Sequence, residues 1–159
     1  MNFISHFYCH RATSPIHNFG LHFPDFIGIV DRNLKLNTYL GGYDLKNQQF
    51  LLGIKNHLKA DEIWHNHTFF KAKTRLIKEV LKQYGISDKP YRPFFMTHVM
   101  LEILLDRAII RYEKQVAEDM YLSLEKCDDV FLNTLFKDAD ISKKFMRFFN
   151  NFRTKRYAL

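Results

Sequence analysis

Two stretches of the chain place ionisable side chains four residues apart: His57, Asp61 and His65, then His98, Glu102 and Asp106. On an α-helix, residues at i, i+4 and i+8 share nearly one face, each about 6 Å from the next. Facing stripes of this kind converge six imidazole and carboxylate groups on one pocket. Such groups are costly to bury unless they hold a metal, a proton or each other. Mixed nitrogen and oxygen donors without thiolate suit Mn, Fe, Zn or Mg, and they argue against a structural zinc knot. A metal with open positions lowers the pKa of bound water and clamps a phosphoryl oxygen, while a nearby acid protonates the leaving alkoxide. The chemistry implied is phosphoester hydrolysis. His6, set among Phe3, Ile4, Phe7 and Tyr8, and Asp25, between Pro24 and Phe26, are further candidates by environment.

Helices must position these groups. Phe3–His10 is a short apolar segment, and Thr13-Ser14-Pro15 is a helix-entry signal with a hydroxyl cap and a proline in the first turn. The apolar spacing from Ile16 to Val30 suits a helix, with a break expected near Pro24. Asp31-Arg32-Asn33 and Gly41-Gly42 mark loops. From Leu45 a strong helical pattern begins, with Phe50, Leu51, Ile54, Leu58 and Ile63 as its apolar stripe. A helix over Phe69–Tyr84 turns Leu76, Ile77, Val80 and Leu81 inward and Lys71, Lys73, Arg75, Lys78 and Lys82 outward, with Gly85 as its C′ residue. Pro90 to Pro93 is a linker. A helix from about Phe94 to Met120, apolar nearly all round at first, is expected to be buried at the centre of a bundle. Leu122–Phe136 and Ile141–Phe152 supply the last helices. The expected fold is one all-α domain, a helical bundle spanning 1–159.

Composition narrows the classes. With 47% apolar residues the chain can build a core, and Phe (16) is abundant where Gly (6) and Pro (4) are scarce. No run of about twenty uncharged apolar residues marks a transmembrane helix, and the N-terminus lacks a signal-peptide pattern. Cys9 and Cys127 lack CxxC spacing and read as reduced thiols, so a cytoplasmic protein is expected. No Walker loop, dinucleotide fingerprint or nucleophile elbow is present. The net charge of +7 fits an acidic protein partner, nucleic acid, or plain solubility. By default His10, His17 and His22 are surface residues, His67 is a surface or outer-sphere residue, and Trp64 is core or pocket wall.

Several segments together resemble a known family. Met1-Asn2-Phe3-Ile4-Ser5-His6 is similar to the Asn-Phe-Leu-Ala-His-Leu opening of the acyl carrier protein phosphodiesterases, which are themselves similar to HD-domain phosphohydrolases. Gly20–Gly28 resembles their Gly-Asn-x-x-x-Asp-Phe-x-Lys/Arg-Gly segment. Gly53–Asp61 resembles Gly-Ile-x-x-His-Arg-x-Ile-Asp, and His67 falls on a later histidine. Glu102–Asp106 matches the segment leading into Asp-His-Phe-Leu. The resemblance runs in order over residues 1 to about 110. It implies an HD-domain-like helical fold, a divalent metal, Mn above all, and release of the 4′-phosphopantetheine arm from acyl carrier protein. His6, Asp25, His57, Asp61 and Asp106 fall on the family's polar positions. The chain departs from the pattern at Leu58, at Trp64-His65 and at Arg107, and it has no His-Asp dipeptide.

The expected metal ligands are therefore His6, Asp25, His57, Asp61, His98 and Asp106. Asp61 doubles as a catalytic group with His65, Glu102 and Arg107, and Arg107 or a surface lysine is expected to hold substrate phosphate. The competing expectation is a non-catalytic basic module with a degenerate metal site. It would bind an acidic protein or nucleic acid through the lysines of 71–82 and the Arg153-Thr154-Lys155-Arg156 tail. A ferritin-like di-metal oxidase fits less well, because paired Glu-x-x-His spacing is missing.

Overall fold

Ser14 and Pro15 start the helix around which the chain is organised: the Ser14 hydroxyl accepts from the His17 amide, and Pro15 fills the first turn. A computed structural model describes residues 2–36, 45–86 and 92–156. Among these, eight helices form one all-helical bundle without strands. They are α1 (Phe3–His10), α2 (Pro15–Val30), α3 (Leu45–Asn66), α4 (Thr68–Gln83), α5 (Pro93–Tyr112), α6 (Val116–Glu125), α7 (Asp129–Thr134) and α8 (Ala139–Lys155). The Gly41-Gly42 loop and residues 90–91 of the Pro90–Pro93 linker lie outside the described residues.

The central element is α2, which packs against α1, α3, α6 and α8. Its Phe19, Phe23 and Phe26 interlock with Phe50 of α3 and Phe145, Phe149 and Phe152 of α8, mostly edge-on or tilted. Truncating one such ring to Ala costs about 3–5 kcal/mol. The closest approach, between α2 and α3, is made where Gly20 meets Gly53. A Cβ on Gly20 would collide with the Phe50 carbonyl, and one on Gly53 with the His17 carbonyl. The expected break at Pro24 does not occur. Its missing N–H forfeits one bond to the Gly20 carbonyl, but the aromatic packing on both sides keeps α2 continuous to Val30.

Three other expectations need correction. The helix expected over Phe94–Met120 stops at Tyr112, and α6 begins at Val116, so that Val116, Ala117, Met120, Tyr121 and Leu124 enter the core. The helix expected over Leu122–Phe136 is likewise split by Asp128, whose side chain accepts from the Val130 amide and caps α7. Most consequentially, α5 is peripheral and packs mainly on α4 and α1. It is inside out. Its inward line is Thr97, Leu101 and Asp106, flanked by Glu102, while Phe94, Phe95, Ile103 and Leu104 are exposed. On α4, Leu76 and Val80 are exposed although expected inward, and Phe70 and Leu81 are the buried pair. On α3 the buried line is Phe50, Gly53, Ile54, His57 and Ala60, so His57 takes the inward position expected of Leu58.

Gly85 does terminate α4 as expected. At φ +76° it occupies the left-handed region that favours glycine, and the Gly85 and Ile86 amides donate to the Lys82 and Leu81 carbonyls. No helix among the described residues is long and apolar enough to cross a membrane.

Candidate metal centre

His57 shows how the fold builds the centre. Four residues beyond Gly53, its ring is carried across the α2–α3 crossing, and Nδ1 lies 2.8 Å from the Leu21 carbonyl. A carbonyl only accepts, so Nδ1 carries the proton and Nε2 presents a bare lone pair. That lone pair lies 3.5 Å from Asp61 Oδ2 and 3.9 Å from Asp25 Oδ1. A lone pair aimed at two carboxylates is unfavourable unless a proton or a cation sits between them. His6 completes the group from α1. Its ring stacks on His57 at 3.8 Å, and its Nε2 is 3.2 Å from Asp61 Oδ1. His6 is fully buried, and neither ring nitrogen makes a well-aligned hydrogen bond. One ligand atom each from His6, His57 and Asp61 falls within a 4.8 Å cluster. One imidazole braced by a backbone carbonyl, a second stacked on it with a buried Nδ1 left unbonded, and a carboxylate between them fit a divalent metal.

Electrostatics follow from this crowding. Burial, with His6 nearby, lowers the His57 pKa to about 4. Burial raises Asp25 to about 7, helped by the charges of Asp61, Glu102 and Asp106. Its side chain keeps 35% exposure, so solvent screening trims that rise. Burial alone would raise Asp61, but its contact with His6 helps hold the carboxyl well below the ordinary range. Nothing in the sequence pattern singled out His22, expected on the surface. It is wholly buried between Phe3, Phe7 and Phe26 with both ring nitrogens unpartnered, and burial, with His6 and His57 nearby, holds it neutral. His17, also expected on the surface, is buried with Nε2 3.1 Å from the His10 carbonyl. His67 is the N-cap of α4, its Nδ1 accepting from the Phe69 amide.

The six stripe residues do not meet in one pocket. Asp106 is in neither ligand group: its Oδ1 accepts from the Ser5 amide at 2.8 Å and its Oδ2 from the Ile4 amide at 3.1 Å. It thereby ties α5 to the first turn of α1 and fixes His6, one residue on from Ser5. Burial raises the Asp106 pKa against the pull of these bonds. A second group forms where the C-terminal end of α3 meets α5. Glu102 Oε1 lies 2.9 Å from His98 Nε2 and 3.4 Å from His65 Nε2. Arg107 touches neither group. With Arg111 and Asp106 it lines a cleft of about 760 Å³ whose walls include Phe3, Ile110 and Phe152 but none of the ligand residues of either group.

Cys9 and Cys127 are free thiols, and Cys127 is pushed up to about 12 by burial and the adjoining Asp128 and Asp129. Arg153 pairs with Asp129, and Arg156 with Glu118 and Glu125, so two charges of the basic tail are neutralised within the bundle. The lysines of α4 and Arg75 are exposed as expected. Comparison of the chain with family models, with curated proteins and with solved structures finds no match.

Proposed function

We propose that the chain is a metal-dependent phosphodiester hydrolase built on an HD-domain-like bundle, as its resemblance to acyl carrier protein phosphodiesterase suggests. The observation that carries this reading is the bare Nε2 of His57 aimed at Asp61 and Asp25, beside a buried His6 whose Nε2 also faces Asp61. In this reading His6, His57 and Asp61 hold the metal and Asp25 closes the set. Mn is the favoured ion, and Fe, Zn and Mg share the donor preference. The bound ion would supply a water of lowered pKa and polarise a phosphoryl oxygen.

The chain's own groups do the rest. The Leu21 carbonyl holds the His57 tautomer, and Asp106 positions His6 through the α1 amides. His65 and Glu102, a turn beyond Asp61 and a turn before Asp106 on their helices, gather instead with His98 in a separate group. Arg107 and Arg111 offer positive charge to substrate phosphate along the neighbouring cleft. An acidic carrier protein is the fitting partner for a +7 chain with a lysine row along α4, acting in the cytoplasm where its thiols stay reduced.

The test is turnover of bis(p-nitrophenyl) phosphate and of phosphopantetheinylated acyl carrier protein by chelated, then Mn-reloaded, protein. Expected is Mn-dependent release that falls at least about 100-fold in His57→Ala with helical content unchanged. Loaded protein inert on both substrates would overturn the reading. The exposed lysine row favours one alternative, a non-catalytic module binding an acidic partner or nucleic acid. That module would show salt-sensitive, metal-independent binding that His57→Ala leaves intact.

A further inference from the structure

We infer that His65, His98 and Glu102 form a second, separate divalent-cation site of zinc-like preference. Both imidazoles turn Nε2 toward one carboxylate oxygen, and the three ligand atoms lie within 4.8 Å of one another. Ligands about 2.0–2.1 Å from a tetrahedral Zn stand about 3.3 Å apart. The 3.4 Å between His65 Nε2 and Glu102 Oε1 already has that spacing, and the 2.9 Å to His98 Nε2 needs only a small opening. Two imidazoles and one carboxylate, with further positions open to solvent, are a borderline donor set that suits Zn over Mg or Ca.

The site is built as well as clustered. His98 and Glu102 are one turn apart on α5, and His65 comes from the far end of α3. Phe70 of α4 packs against both histidine rings at 5.0 Å, so three helices fix their orientation. The histidine side chains retain 34% and 27% exposure and Glu102 13%, which leaves an approach for the ion. Asp61 and His65 are one turn apart on α3, their Cβ atoms roughly 6 Å apart, so that helix carries a ligand of each centre. A cation here would pin the ends of α3 and α5 together and extend positive charge outward from the inner centre.

The experiment titrates Zn²⁺, and Co²⁺ as a spectroscopic reporter, into His57→Ala/Asp61→Ala protein, whose inner centre is removed. Expected is one equivalent bound per chain, with Co²⁺ absorption of tetrahedral intensity, and at least about 100-fold weaker binding when His98→Ala is added. Glu102→Gln, which keeps the side-chain volume, is expected to weaken binding as well, should His98→Ala perturb folding. No Zn²⁺ binding in the inner-site variant would overturn the inference, as would binding indifferent to both His98→Ala and Glu102→Gln. Because the inner centre is absent throughout, failure here leaves the proposed hydrolase function untouched, and failure of turnover leaves this site standing.

Discussion

The inner and outer histidine clusters share α3, yet their surroundings differ sharply. His6 and His57 are buried, and a backbone carbonyl dictates which nitrogen of His57 is bare. His65 and His98 are half-exposed, share one carboxylate oxygen, and are oriented by aromatic packing. Similar residue types four apart on helices thus acquire different chemistry from what lies behind them. Behind the inner cluster is a packed phenylalanine core; behind the outer one is the edge of the α4–α5 pair.

The comparison breaks most decisively at Asp61. Asp61→Ala is expected to abolish metal binding at the inner centre while helical content holds, measured by metal content and circular dichroism; unchanged inner loading would erase the distinction. Next comes Asp106→Ala, which strands two buried amides. It should cost about 1–3 kcal/mol for each amide left unsatisfied, read by urea denaturation. It should also loosen the inner centre through His6 and spare the outer one.

A pH series sharpens the contrast further. In metal-free protein the folded state keeps the Asp25 proton up to about pH 7, where the unfolded chain releases it near 4. The native state therefore binds more protons across that window, and the Asp25 contribution to stability is lost as pH rises through 7. His57, lowered to about 4, acts oppositely and stabilises as pH rises from 4 toward 6.5. Since His57 is common to both proteins, Asp25→Asn should gain stability on the wild type between pH 5 and 8. Parallel urea midpoints over that range would contradict this, and saturating Mn should flatten the difference. The smallest effect belongs to the outer wing: Leu76→Ser on the exposed face of α4 should change stability by less than about 0.5 kcal/mol.

Helix content was readable because Ser14-Pro15, Gly85 and the apolar spacing are local signals. The breaks at 113–115 and 126–128 contain neither proline nor glycine, so the apolar spacing alone runs on through them. Asp128 and Asp138, both side-chain N-caps, were available cues. The chemistry-bearing stripes were legible as stripes, but their partition was not, because Asp106 meets α1 amides a hundred residues away in sequence. The orientation of α5 misled for a related reason. Hydrophobic count favours burial all round, whereas its ionisable line is the face turned inward and six large hydrophobic residues point out. His22 carried no signal at all, since a lone histidine looks the same whether it faces water or phenylalanine.

The glycine crossing of α2 and α3 has a consequence for how metal affinity is set. Leu21 follows Gly20 directly, and His57 sits one turn beyond Gly53, so the depth at which the two backbones rest on each other is also the length of the Leu21–His57 bond. The crossing works as a gauge block. A single methyl inserted there would spread the helices, release the His57 tautomer and detune the centre without touching any ligand. Control over the ion thus rests partly on two residues that have no side chain with which to bind it.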